Sequence, residues 1–545
     1  MKKSSFIEGT IIATLAIVIT KILGMLYVIP FYAMVGAAGS ALYAYGYNIY
    51  AIFLDISTAG LPLALSKIIK EYNTLGKKDA KKRAFSIGLK MISMISIVIF
   101  LILILFARPL SSMILGELTG GTTIEEVTFV IRMTSLAILI VPYLSITRGY
   151  LQGHNIIGIS SISQVLEQVF RIVTLLGGCY LALHLFKVPM KYAIGIAVFG
   201  ASVGGIVALF YLLFKMNKSR KELDLTKIEE KDNITNKEIS KKIISYAIPF
   251  IIITIVFSIN NFLDMVMILR TLEALGLETS SIEFATTAIT TWSTKISMIV
   301  NSVATGMVTS LIPTIVGAYT LKKWDEVNSK FNKALQLILV ICLPMCVGLS
   351  LLSKSVWSVF YGYSEIGALI FAMQILVSLF YNLFLVTNSA LHGLNKSKVV
   401  YRSVIIGLTT NMLLNIPYML LFYKLGLPPY LGAILSTATG YILAFTLSLK
   451  KLKKEHGLNY KETIKMAEKL ILPTIAMLLV VLVLKWLIPI NYASKFSCCI
   501  YIGMISCLGA VVYLGITYKM GLLTKVFGES TVNKIIKKLT RSKVS

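Results

Sequence analysis

Charge is scarce in this 545-residue sequence: Asp, Glu, Lys and Arg make up 14% of it, against 56% hydrophobic residues. A soluble domain of this length needs a far more polar surface, and a mean hydropathy of +0.80 makes the bilayer the natural solvent. Histidine is rarer still. The four (His154, His184, His392, His456) are read as lying in separate loops, and the six cysteines all fall inside apolar runs without a histidine or carboxylate beside them. Neither a metal site nor a disulfide framework is expected from such spacing, and no cofactor is implied. The sequence has no G-x-x-x-x-G-K-[ST] run, which argues against ATP hydrolysis in this chain.

What is present is a series of uncharged apolar runs, each near the roughly 20 residues that cross about 30 Å of hydrocarbon. They predict an all-α polytopic membrane protein with about fourteen transmembrane helices. Helices 1 to 6 are expected near 11–35, 42–65, 85–107, 127–149, 160–183 and 192–214. Helices 7 to 12 are expected near 243–270, 284–317, 335–360, 366–391, 400–423 and 430–449, and helices 13 and 14 near 470–490 and 497–518. The first run follows Lys2 and Lys3 but is too long for a signal-peptide core and has no small-residue cleavage site after it, so it reads as a retained helix.

Acid is the other scarcity: 25 Asp and Glu against 53 Lys and Arg, a net charge of +28. With the N-terminus inside, about 40 of the basic residues fall in cytoplasmic segments and about seven outside, which is the positive-inside pattern. The protein is therefore placed in the plasma membrane with both termini cytoplasmic, touching anionic lipid headgroups rather than nucleic acid. The longest outside loop, Arg108 to Glu126, has about 19 residues, little room for an extracytoplasmic catalytic domain.

The segment 215–242, with nine basic and six acidic residues and no apolar period, reads as a cytoplasmic linker between lobes at 1–214 and 243–449. A basic loop, 450–469, precedes the last two helices (470–518), and a basic tail, 519–545, follows them. Leu151-Gln-Gly-His-Asn155 recurs as Leu391-His-Gly-Leu-Asn395, 240 residues on. Tyr72-Asn-Thr-Leu-Gly-Lys-Lys-Asp79 recurs as Tyr319-Thr-Leu-Lys-Lys-Trp-Asp325, at nearly the same offset. Agreement on a shift of six helices predicts a duplication whose halves share one topology.

Ionisable groups in hydrocarbon are costly and mark a cavity or a partner. Helix 1 carries Lys21, helix 2 Asp55, helix 5 Glu167 and Arg171, helix 7 Asp264 and helix 8 Lys295, with Arg132 and Arg270 nearer span ends. Gln164, Glu167, Gln168 and Arg171 share one helical face. That face suits either an intrahelical Glu167–Arg171 pair or a cavity wall. Asn260, Asn261 and Asp264 repeat the pattern on helix 7, and Thr287, Thr291, Thr294, Lys295, Asn301, Ser302 and Thr305 give helix 8 a polar stripe suited to a water-accessible wall. Lys21 and Lys295, one in each half, suit an anion site, or else neutralise Asp55 and Asp264. Pro30, Pro142, Pro249, Pro344 and Pro417 remove backbone hydrogen bonds inside spans and could hinge them.

Thr20-Lys-Ile-Leu-Gly24, Phe31-Tyr-Ala-Met-Val-Gly36, Tyr45-Gly-Tyr-Asn48, Arg148-Gly-Tyr-Leu-Gln-Gly-His154 and Gln164-Val-Leu-Glu-Gln-Val-Phe-Arg171 resemble the MurJ/YtgP-type lipid II flippases of Gram-positive bacteria, with stage V sporulation protein B a close sibling. The resemblance runs over essentially the whole chain. It implies membership of the multidrug/oligosaccharidyl-lipid/polysaccharide exporter superfamily and two six-helix lobes in a MATE-like V around a cationic cavity. Helices 13 and 14 would form a lipid-tail groove. It also implies essential basic residues in helices 1 and 8, at positions that look like Lys21 and Lys295, whereas Tyr27 stands where many relatives carry a second helix-1 arginine.

The expected function is a flippase that moves undecaprenyl-diphosphate-linked peptidoglycan precursor by alternating access, without chemistry. Lys21, Lys295 and Arg171 would meet the substrate, while Asp55, Glu167, Asp264, Asn260 and Thr294 would line or couple the path. Its expected partners are a polyprenyl-linked oligosaccharide lipid, anionic lipids and cell-wall synthesis proteins. Competing readings are a flippase for another polysaccharide or teichoic intermediate, a cation-coupled multidrug antiporter, a membrane enzyme acting on lipid-linked sugars, and an envelope scaffold.

Overall fold

The structure is a computed structural model that describes residues 6–529 apart from 59, 117–119, 221, 224, 226–231 and 395. Lys2, Lys3, Asn395, the Pro249 side chain, part of the 215–242 linker and the tail beyond residue 529 lie outside the described residues. Among those described, all regular structure is helical. In a bilayer this is the expected solution, because a helix satisfies its own backbone hydrogen bonds where no water can. Eleven helical segments among the described residues are long and apolar enough to cross a membrane.

The chain divides into two compact units, Met1–Thr290 and Thr291–Ser545. In the first, α1 (Phe6–Leu26) leads into α2 (Val28–Thr58), α3 (Leu61–Thr74), α4 (Lys78–Leu105), α5 (Ala107–Leu115), α6 (Ile124–Ile138) and α7 (Val141–Gly153). Then come α8 (Ile157–Tyr180), which widens into a π-turn at Leu181–Leu185, α9 (Met190–Lys218), α10 (Asn236–Ala274) and α11 (Thr279–Thr287). The expected first helix, 11–35, breaks once, at Tyr27, and its end coincides with a kink at Gly36, whose φ of 64° is open to glycine at no steric cost. The fourth divides at Leu139–Ile140, with Pro142 in the first turn of α7, where a missing N–H costs nothing. Capping boxes start α6 (Thr123 with Glu126) and α10 (Thr235 with Glu238), so the linker ends at a defined residue.

The second unit holds α12 (Ser293–Thr320), α13 (Trp324–Leu351), α14 (Ser353–Tyr361), α15 (Glu365–Gly393), α16 (Ser397–Lys424), α17 (Tyr430–His456), α18 (Lys461–Leu487), α19 (Lys495–Lys519) and α20 (Leu522–Phe527). A π-turn, Ala288–Trp292, opens α12. The histidines are not in loops: His154 caps α7, His184 lies in the first π-turn, His392 is in the last turn of α15, and His456 ends α17, stacked 4.2 Å from Trp324. Helices outlast the hydrocarbon, and a ring at a helix C-terminus meets the negative end of its dipole.

The repeated sequences make repeated turns. Ile156 N–H donates to Leu151 C=O at 2.9 Å, as Lys396 N–H donates to Leu391 C=O at 2.9 Å, the six-to-one bond that closes a helix C-terminus. Likewise Lys77 N–H reaches Tyr72 C=O at 2.9 Å and Lys323 N–H reaches Ala318 C=O at 3.0 Å. The left-handed residue of these two turns is Gly76 (φ 70°) in one and Lys322 (φ 55°) in the other.

Candidate functional site

The motif Arg148-Gly-Tyr-Leu-Gln-Gly-His154 is the place to build from, because its spacing fits α7 against two neighbours. Gly149 and Gly153, one turn apart, face α3: a Cβ on either would press on Pro62 backbone or on Ile69 and Ser66. The longer side chains between them reach elsewhere. Arg148 Nε donates to Ser163 Oγ at 2.7 Å and Arg148 Nη1 pairs with Glu167 at 2.8 Å, while Gln152 Nε2 donates to Ser160 Oγ at 3.0 Å. Ser160, Ser163 and Glu167 are the α8 face that turns toward α7, and Tyr150 OH donates to the Leu223 carbonyl of the linker at 2.6 Å.

Glu167 thus pairs across helices with Arg148, so of the two readings of this face the intrahelical Glu167–Arg171 pair does not form. The reason is geometric: the short turn at Asn155, whose φ is 60°, brings α7 back alongside α8. Arg171, one helical turn on, lies instead among aromatic rings. Its guanidinium is 5.4 Å from the Tyr47 ring centroid, with Tyr43, Tyr27 and Tyr50 around it. An arginine fork over a π-face keeps its N–H groups open to an anion. Tyr43 and Tyr47 stack at 5.7 Å, so the cluster is held by the rings themselves.

Lys21 is half-buried on α1, a helix that packs against α8 near Gly24 and Gln168. Among the described residues no side chain pairs with it, so Asp55 is not its counter-ion. Asp55 accepts from Ser258 Oγ at 2.6 Å, and seven residues earlier on α2 Asn48 Nδ2 lies 3.3 Å from Met265 Sδ, seven residues later on α10. The two helices therefore meet antiparallel along a polar seam. Asn260 Nδ2 donates to Asp264 Oδ2 at 3.1 Å, and both residues are buried.

In the second unit Lys295 is half-buried and Thr294 is exposed, just past the π-turn that opens α12. That turn is anchored: Tyr361 OH donates to the Trp292 carbonyl at 3.0 Å, and the Trp292 ring stacks 5.5 Å from Tyr361. The polar stripe is not uniformly wet. Thr287 and Thr291 are buried, and Thr287, Thr294, Ser302 and Thr305 bond back to carbonyls of their own helix.

The second unit also holds an apolar cavity of about 400 Å³ between α13, α18 and α19, with Pro344, Met345, Met477, Val481, Ile505 and Tyr513 among its walls. All six cysteines are free; Cys499 and Cys507 are exposed and the other four buried. Among the described residues no group of three His, Cys, Asp or Glu could hold a metal.

Sequence reasoning named Glu167 and Arg171 but missed Arg148 as the partner; the signal available was the arginine at the head of the quoted motif, 19 residues before the glutamate.

The family described as polysaccharide biosynthesis protein matches residues 6–318. The lipid II flippase MurJ of Bacillus subtilis (strain 168) is 33% identical over 535 residues, covering 96% of this chain and 97% of that protein. Among solved structures, a lipid II flippase MurJ in an inward closed conformation superposes with a TM-score of 0.68 at 18% identity, over 94% of this chain and 99% of the other. An inward-facing multidrug resistance MATE family transporter of the MOP superfamily gives 0.63 at 14% identity, over 82% and 98%. The fold is thus MurJ- and MATE-like, in a multi-pass membrane protein, and the chain belongs to the MurJ lipid II flippase family.

Proposed function

We infer that this protein is a flippase that carries lipid II from the cytoplasmic to the outer leaflet of the bacterial plasma membrane, a transporter rather than an enzyme. The observation that carries this reading is the 33% identity to a lipid II flippase over nearly the full length of both chains. The spans number fourteen in this reading: the eleven apolar segments together with α1, α10 and α12, which at 21, 39 and 28 residues are each long enough to cross. The duplicated turns support two halves, at 1–214 and 243–449, joined by 215–242 and followed by the helices at 470–518. Both termini are cytoplasmic by the charge distribution.

The headgroup of such a cargo is a sugar diphosphate, and the residues proposed to meet it are Lys21, Arg171 and Lys295. Arg171 stands beside Tyr27, the position where many relatives place a second helix-1 arginine, so its guanidinium supplies from α8 a cation in addition to Lys21. Asp55, Glu167, Asp264, Asn260 and Thr294 give polar or coupling groups along the path. The apolar cavity of the second unit has the chemistry of a polyprenyl tail. Moving one charge across the membrane is worth roughly 2.3 kcal/mol per 100 mV, so an inside-negative potential favours outward movement of an anionic headgroup.

The test is complementation of a flippase-deficient strain. Lys21→Glu combined with Lys295→Glu should abolish growth rescue while leaving membrane insertion intact; full rescue would reject the anion site. In reconstituted vesicles, collapsing the potential should slow export while removing ATP at constant potential should not. Export indifferent to potential but stopped by loss of a sodium or proton gradient would move the driving role to Asp55, Glu167 or Asp264.

A further inference from the structure

Unit 1 carries a second charged recess, at the corner where α4 ends and α5 and α6 follow. A cavity of about 240 Å³ is lined by Arg108 of α5 and by Glu125, Thr128, Phe129 and Arg132 of α6. The four α6 positions share one helical face. Both walls are fixed: Thr128 Oγ1 donates to the buried Ser111 Oγ of α5 at 3.0 Å, and the Phe129 ring meets Tyr192 edge-on at 5.4 Å. The neighbouring acid Glu126 is consumed by the capping box with Thr123.

Among the described residues neither the Arg108 nor the Arg132 guanidinium has an ion-pair or hydrogen-bond partner, and Glu125 pairs with neither. The three charges leave the recess with one net positive charge. Immediately before it, Leu105 and Phe106 are 70% and 55% exposed, apolar surface of the kind acyl chains cover in a membrane protein. The recess therefore sits where hydrocarbon gives way to headgroups.

We propose that the Arg108–Arg132 recess binds the phosphodiester headgroup of an anionic phospholipid. A guanidinium fork matches two phosphate oxygens at once, and one net positive charge matches the single negative charge of a phosphodiester. The acyl chains lie along the exposed end of α4. On the positive-inside topology this is the outer leaflet, but binding itself depends only on the recess and its apolar flank. It is independent of the lipid II reading, since the ligand carries neither a pyrophosphate nor a polyprenyl chain.

The test is native mass spectrometry of the full-length protein titrated with dioleoylphosphatidylglycerol, with dioleoylphosphatidylcholine as the zwitterionic comparison, whose choline cation the net positive recess would repel. Wild type should hold one more phosphatidylglycerol than Arg108→Gln/Arg132→Gln, whose affinity for that lipid should fall about tenfold or more. Glu125→Gln, which removes the opposing charge and keeps both arginines, should bind about threefold more tightly. Equal affinity in wild type and the double variant, with matched thermal unfolding, overturns the site. Unchanged affinity in Glu125→Gln overturns it as well, and that variant decides the matter if the double variant fails to fold. Retention of inorganic phosphate with no preference for phosphatidylglycerol over phosphatidylcholine overturns the lipid assignment.

Discussion

Two helix pairs, α8–α9 in the first unit and α16–α17 in the second, are built on one plan and used differently. In both, glycines let helices touch. A Cβ on Gly204 would run into the Glu167 carbonyl oxygen and one on Gly200 would lie 2.8 Å from that of Arg171. A Cβ on Gly440 would lie 2.6 Å from the Gly407 carbonyl oxygen, and one on Gly407 2.7 Å from that of Gly440. Shifted by 240 residues, Ser163, Glu167 and Arg171 become Ser403, Gly407 and Asn411, and Arg148 becomes Asn388. Asn411 accepts from Ser436 Oγ at 2.8 Å, a neutral bond inside the pair. The backbone plan is shared, while the charge sits on one copy only, because only that copy has an arginine to hold a glutamate there.

Moving the charge should break the comparison most severely. Gly407→Glu puts a carboxylate against the Gly440 backbone, opposite an asparagine instead of an arginine, and should cost about 4 kcal/mol or prevent folding. Yield and thermal midpoint of the detergent-purified variant check this, and a well-folded Gly407→Glu protein would mean the two pairs are less alike than their contacts suggest.

Next in size is Glu167→Ala, which leaves the mostly buried Arg148 without its carboxylate and should lower stability by about 3 kcal/mol. Glu167→Gln should cost less, since an amide oxygen still accepts a hydrogen bond. Chemical denaturation of the two variants side by side reads the difference; equal losses would show that charge at this site contributes nothing beyond shape.

Gly204→Ala tests the crossing itself. A methyl group forced onto the Glu167 carbonyl should cost about 2 kcal/mol, while Gly503→Ala, inside α19 with open space around it, should not lower the thermal midpoint and should raise it slightly.

The smallest effects are expected at the duplicated turns. Gly76→Ala should destabilise by about 1 kcal/mol because a Cβ is poorly tolerated at φ 70°, whereas Lys322→Gly should stabilise by up to about 1 kcal/mol by relieving the same conformation in the second copy. Opposite signs in paired melting curves would sharpen the equivalence of the two turns; equal signs would dissolve it.

Much of this was legible in the residue order. Apolar runs announced membrane helices, and two short repeated phrases announced two turns whose backbone bonds then proved equivalent. The polar α8 face was also readable, because a periodicity of 3.6 places Gln164, Glu167 and Arg171 together whatever surrounds them. The partners on that face were not. An i, i+4 carboxylate and guanidinium look like a pair in sequence, yet Glu167 bonds to Arg148 and Arg171 lies among Tyr27, at the break before α2, and the tyrosines of α2.

The breaks at Tyr27 and at Leu139–Ile140 were likewise hidden, since an apolar run gives no sign of where its hydrogen bonds fail. Composition and periodicity act through solvation and local geometry, so the sequence by itself determined that the chain spans a membrane and which residues share a helix face. Ion pairing acts through space at a few ångströms. Which arginine neutralises Glu167, which rings surround Arg171, and that Arg108 and Arg132 line one recess were decided only when the close crossings permitted by glycine had fixed each helix against its neighbours.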